Sequence, residues 1–168
     1  MKLSTNFTVA VHTLLCVLHF QKTDKVTSDF IAASTNMNPV IIRKILGKMH
    51  SAGLVETKAG VGGSTLLKTA NKITLLDIYK AVSDEGDDER SVFNFHANPN
   101  NACPVGSKIH AALDKPLFNA QKALEAELSK TTLADLEKVI VDAHPCANAL
   151  GIGLKEKLPC FSLSDSFL

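Results

Sequence analysis

The sequence predicts a mainly helical fold with one small β-hairpin set into it, and three observations carry the prediction. Between Phe7 and Ile140, apolar residues recur mostly three and four positions apart, the spacing of helices with one buried face. One glycine-rich stretch, Gly60-Val61-Gly62-Gly63, parts two short runs of strand-forming residues. Apolar residues make up 45% of the 168-residue chain, enough for one core with an appended element but a tight fit for two independent domains.

The first helix is read from Phe7, Val11, Leu14, Leu15 and Leu18, with Ser4 or Thr5 as its cap. His12, Cys16 and His19 lie on or beside it and read as packed or partly exposed side chains, not metal ligands. Thr27-Ser28-Asp29 supplies the cap of a short second helix through Ser34. Asn36 tolerates the left-handed backbone of a tight turn, Asn38 can cap, and Pro39 fits a first helical position, where no hydrogen bond is lost. A third helix therefore runs from Pro39 to Ala52, stopped by Gly53. It turns Ile42, Ile45, Leu46 and Met49 inward and Val40, Arg43, Lys44, Lys48 and Ser51 outward, with Ile41 suited to either face.

Leu54–Lys58 and Thr65–Lys68 are the expected strands, joined by residues 59–64. Thr74 with Asp77 opens a fourth helix whose apolar stripe is Leu75, Ile78, Ala81 and Val82. Asp84 to Ala102 forms a long acidic, asparagine-rich connection, a length that in compact domains goes with function or disorder. Helical spacing returns at Val105, Ile109, Ala112 and Leu113 and again at Leu117, Ala120, Leu124 and Leu128, with a kink or short break expected at Pro116. A helix of that length with a narrow apolar seam cannot bury itself on a small domain alone. Its natural partner is the same helix of a second chain. Thr132 and Asp135 cap a last helix carrying Leu133, Leu136, Val139 and Ile140, and the tail from 144 to 168 is unassigned.

Helix, helix, turn, helix and two-stranded wing, in that order, make a winged helix-turn-helix, which aims its third helix at a major groove and leaves the wing beside it. The charge distribution agrees. Residues 1–72 hold nine Lys and Arg against three acids, net +6, and the remainder nine against fourteen, net −5. A basic half suits phosphates and an acidic half does not. Arg43, Lys44 and Lys48 are candidates for guanine edges or phosphates, and Val40 and Ile41 for thymine methyls. Lys58, Gly60, Gly62 and Gly63 are the candidates on the wing.

The expected organisation is a winged helix-turn-helix DNA-binding domain over 1–83, a loop and sensor region over 84–102, dimerisation helices over 103–143 and a tail over 144–168. The expected function is a transcriptional repressor that binds double-stranded DNA as a homodimer on a pseudo-palindrome and answers to an unidentified effector. One alternative is a small thiol enzyme or carrier using Cys103, for which no Cys-His-Asp set is evident from spacing. Another is a winged helix used only for protein contacts, which would have no need of the basic surplus before residue 73.

Other classes fall away. No Gly-Lys-Ser/Thr follows the glycines, so a nucleotide-phosphate loop is not indicated. Cys16, Cys103, Cys146 and Cys160 are scattered without a CxxC pair, against a zinc ribbon or thioredoxin-like centre. The apolar run Phe7–Phe20 is too short to span a bilayer, so a cytoplasmic protein with reduced thiols and no membrane partner is expected. Neither catalytic residues nor metal ligands are expected.

Val26-Thr27-Ser28-Asp29-Phe30-Ile31-Ala32, Ile42-Arg43-Lys44-Ile45-Leu46, Ser51-Ala52-Gly53-Leu54-Val55, Gly60-Val61-Gly62-Gly63 and Ile73-Thr74-Leu75-Leu76-Asp77-Ile78 together resemble the Rrf-two family of winged-helix regulators, which includes IscR, NsrR and CymR. Asn98-Pro99-Asn100, Cys103-Pro104-Val105-Gly106 and Thr131-Thr132-Leu133-Ala134-Asp135-Leu136 are similar to its YwnA-like branch. The resemblance covers roughly residues 1–140 and implies a dimer in which the long helix crosses its twin. Cluster-binding members carry three closely spaced cysteines before that helix. Only Cys103 stands there in this chain, with His96 and His110 as other donors, so no cofactor, an Fe–S cluster included, is expected. Ala59 stands where IscR has an arginine, and Val40, Ile41 and Arg43 occupy its base-reading positions, so its operator preference does not carry over. Pro104 after Cys103 points to Cys103 as the cap of the long helix, where backbone N–H groups favour a thiolate. That makes Cys103 a candidate redox or electrophile sensor, with a plain small residue at a helix start as the alternative.

Overall fold

Short-range chemistry sets most of the element boundaries. The computed structural model describes residues 5–58, 63–83, 93 and 96–143. Expectations for Gly60, Gly62, most of the acidic connection and the tail with Cys146 and Cys160 lie outside the described residues. The first helix, α1, spans Thr5–Phe20, α2 spans Ser28–Thr35 and α3 spans Pro39–Ser51. Thr27 caps α2 by accepting from the Phe30 N–H, and Asn36 closes it in the left-handed region at φ 53°. The Asn38 side chain accepts from the Val40 N–H at 2.8 Å, so α3 starts at Pro39. Gly53, at φ 68°, turns the chain away from α3 toward the hairpin.

Strand β1 (Val55–Lys58) pairs antiparallel with β2 (Gly63–Leu66), Val55 opposite Leu66 and Lys58 opposite Gly63. The second strand thus lies two residues earlier than the expected Thr65–Lys68. Its outer edge explains the shift: the Ser64 N–H donates to the Val26 carbonyl at 2.8 Å and the Leu66 N–H to Gln21 Oε1 at 3.0 Å. Residues before α2 therefore substitute for a third strand, and Gly63 and Ser64 belong to the sheet rather than to the loop.

Helix α4 (Leu75–Val82) opens with a capping box between Thr74 and Asp77. The same box recurs at α6 (Leu133–Ala143), where Asp135 Oδ2 accepts from the Thr132 backbone and hydroxyl. The two boxes lie back to back, because Thr74 and Thr132 form a β-bridge flanked by Leu75 N–H to Thr131 O and Leu133 N–H to Ile73 O bonds of 3.0 and 2.8 Å. Leu133 is consequently fully buried in the same core as Leu14, Ile31, Ile42, Met49 and Ile78. Each such side chain contributes about 1.5–3 kcal/mol by leaving water. Although α6 follows the long helix in sequence, it belongs physically to the N-terminal core.

On α1 the fully buried positions are Ala10, Thr13, Leu14 and Val17, and of the expected stripe only Leu14 is among them. Phe7, Val11, Leu15 and Leu18 are partly buried around it, because α1 is packed on several sides, by α2, α3, α4, α6 and β2. The long helix, α5, spans Ile109–Leu128 and continues through Pro116, so of the kink or short break expected there the break does not occur. Proline leaves the Ala112 carbonyl without its helical N–H partner. Cys103 does not cap α5, contrary to expectation: Lys108 holds that position and the helix starts at Ile109. Residues 100–108 coil into turns instead, through Cys103 N–H to Asn100 O and Ser107 N–H to Cys103 O bonds. Gly106 permits this, since a Cβ there would lie 2.3 Å from the Asn100 carbonyl oxygen.

Candidate nucleic-acid interface

Burial of Ile42, Ile45, Leu46 and Met49 fixes the roll of α3 and therefore which residues face out. Val40 is 63% exposed, a large apolar side chain held in water on an otherwise cationic helix. Beside it Ile41, Arg43 and Lys44 are exposed as well, while Lys48 is half-buried. Of these outward residues, Arg43 lines one concavity and Ile41, Lys44 and Lys48 another, while Val40 lines neither. A cleft of about 440 Å³ lies between α3, the start of α2 and the hairpin, lined by Ser28, Asp29, Arg43, Gly47, His50 and Lys58 among others. A smaller one of about 180 Å³ gathers Ile41, Lys44 and Lys48 with Asn6 of α1 and Val82 of α4.

Structure thus brings Arg43, Lys58 and Gly63 around one cleft and Ile41, Lys44 and Lys48 around the other. Lys48 Nζ donates to the carbonyl of Val82, the last residue of α4, at 3.3 Å, which fastens α3 to α4. A lysine there also faces the negative end of the α4 dipole. Sequence reading missed His50. Its Nδ1 lies 3.1 Å from the Val55 carbonyl, an acceptor only, so Nδ1 carries the proton and pins the last turn of α3 to the first residue of β1. The signal was available: His50 lies seven residues after Arg43, two helical turns along the same face.

The sequence pattern of Rrf2, described as an iron-dependent transcriptional regulator, matches residues 3–138. The chain belongs to the Rrf2 family of winged-helix transcriptional regulators. It is 37% identical to YwnA of Bacillus subtilis (strain 168), named as an HTH-type transcriptional regulator, over 134 residues, 80% of this chain and 96% of that protein. A transcriptional regulator from Lactobacillus plantarum superposes with a TM-score of 0.65 at 25% identity, over 88% of this chain and 96% of the other. CymR, the global cysteine regulator of B. subtilis, shares the fold with a TM-score of 0.59 at 21% identity, over 82% of this chain and 97% of CymR. As an Rrf2 regulator the chain is a DNA-binding transcription factor, and no helix among its described residues is long and apolar enough to cross a membrane.

The iron in the family's description can be tested against the donors present. His96 and His110 do come together, with ring centroids 5.5 Å apart and His110 Nε2 at 3.2 Å from the His96 carbonyl. Cys103 does not join them: among the described residues no three His, Cys, Asp or Glu side chains gather as a metal would require. Cys103 is instead an exposed thiol. Hydrogen bonds from the Gly106 and Val105 backbone N–H groups pull its pKa below the ordinary thiol value. Cys16 is its opposite, since burial pushes its pKa up, only partly offset by the Ser34 hydroxyl 3.4 Å away.

Proposed function

We propose that this Rrf2 chain acts as a homodimeric repressor that places two copies of α3 in successive major grooves, with a thiol sensor at Cys103. The carrying observation is the exposure of α5: of its twenty residues only Gln121 is buried. Leu113 and Phe118 on α5 and Val139 and Ile140 on α6 are large apolar side chains in water. Apolar helix faces left open on a small domain are covered when a second copy packs on them. To enter successive major grooves, the two reading helices of such a dimer must lie about 34–36 Å apart, one turn of B-DNA.

The bases are read from α3, with Val40 and Ile41 against thymine methyls and Arg43 and Lys44 against guanine edges or phosphates. Lys58 and the glycines Gly60, Gly62 and Gly63 bring the wing to the backbone. Lys48 acts from behind, holding α3 against α4. Cys103 lies six residues ahead of α5, so oxidation or alkylation there acts on the segment that leads into the dimer helix. Sedimentation velocity on the reduced protein is expected to give a two-chain species. A single chain at every concentration refutes the dimer. Operator affinity unchanged by peroxide in the wild type, and equal in Cys103→Ser, refutes the sensor.

A further inference from the structure

Four glycines lie among the described residues, and three of them have a reason within the fold. Gly53 and Gly63 adopt positive φ, and at Gly63 a Cβ would also sit 3.0 Å from the Val26 nitrogen. Gly106 is held against Asn100. Gly47 has no such reason. It stands in the middle of α3, in helical conformation, and beyond its own stretch of helix a Cβ built on it meets no atom of the described residues within 4 Å. Glycine is the poorest residue for a helix interior after proline, because it has the most backbone freedom to lose. Alanine would fit that space and strengthen the helix. None of the described residues uses the space left by the missing side chain, which leaves it open to a bound partner.

What lies around Gly47 indicates what that is. It is exposed and follows Arg43 and Lys44 by one turn on the outward face, with His50 about one turn further on. It forms part of the wall of the larger cleft, whose other walls carry Lys58, Thr27, which caps α2, and Ser28, its first residue. Arg43 and Lys58 are basic side chains, and Asp29 is the one acid among the described residues of the lining. A cleft with two cations on its walls suits a polyanionic strand that must pass close to the helix.

We propose that the sugar–phosphate backbone of one DNA strand is seated against α3 at Gly47, and that the absent side chain sets how closely the duplex approaches. The inference rests on α3 facing duplex DNA. A methyl group at position 47 stands off the strand by roughly 1.5 Å, the length of a carbon–carbon bond, and so loosens every phosphate contact in the cleft at once. Because the backbone is the same for every sequence, operator and non-specific duplexes lose affinity in parallel.

The test uses full-length Gly47→Ala and Gly47→Leu, both substitutions to good helix formers. Thermal unfolding and fluorescence-anisotropy titration are run side by side, on a genomic duplex selected by the wild-type protein and on a scrambled one. Both variants are expected to melt at higher temperature than wild type. Both are expected to bind both duplexes more weakly, about tenfold for alanine, a total weakening equal to roughly one charge-assisted contact, and more for leucine. Wild-type affinity in Gly47→Ala overturns the proposal, and so does a lowered melting temperature, which would make the glycine structural. If the wild type itself binds neither duplex at low salt, the DNA-facing reading of α3 falls and the proposal with it.

Discussion

Cys16 and Cys103 carry the same side chain in opposite surroundings, and the difference is chemical. Burial keeps Cys16 a neutral thiol, while Cys103, exposed and bonded by two backbone N–H groups, is drawn toward the thiolate. Since the thiolate is the nucleophile, Cys103 is expected to react with iodoacetamide far faster than Cys16 at neutral pH. A lowered pKa also means that its reactivity persists to lower pH than that of free cysteine. Peptide-resolved mass spectrometry across a pH series reads both, and equal rates at the two sites would contradict the assignment. Thr13 makes a different point: it is fully buried in α1, and its hydroxyl has no hydrogen-bond partner among the described residues. An unsatisfied buried hydroxyl costs about 1–3 kcal/mol. Thr13→Val, nearly isosteric, should therefore raise stability in urea unfolding by about 1 kcal/mol; a loss would mean that the hydroxyl is bonded.

Among the elements, α3 carries the most consequence, and its two lysines divide the work. Lys44 is exposed, while Lys48 is half-buried and held by the Val82 carbonyl. Lys44→Ala should flatten the log–log salt dependence of DNA binding by about one unit, as one phosphate contact does. Lys48→Ala should act mainly by loosening α3 from α4. A salt slope unchanged in Lys44→Ala removes that residue from the interface. Most of α3 was legible in the sequence, because Asn38, Pro39 and Gly53 mark its ends by backbone chemistry and Ile42, Ile45, Leu46 and Met49 mark its inner face. Strand β2 was less legible, since its edge is held by Val26 and Gln21, a tertiary contact that no local pattern encodes. The start of α5 was misread for a related reason: Pro104 does mark a turn, but one closed on Asn100 rather than the first turn of the helix.

For the whole molecule, the chain runs out of the core along α5 and returns through α6, which puts Leu133 among the first-domain residues and fastens it beside Thr74. That return was hidden in the sequence, where residues 103–143 read as one separate dimerisation segment. It ties the C-terminal end of α5 to the core that also carries α3. Charge patterning, in contrast, was informative from the start: the basic surplus before residue 73 falls on the part of the chain that builds the two clefts around α3. What was legible was the cationic face, and what was not was His50, which joins that face to the wing through the Val55 carbonyl.

Paired presentation of that face to one side of a duplex is tested most directly by hydroxyl-radical footprinting on a genomic fragment selected by the reduced protein. Two protected patches related by a two-fold axis, with centres about 10 base pairs or a multiple of that apart, are the expected result. One isolated patch, or uniform cleavage at low ionic strength where backbone contacts are strongest, would contradict it.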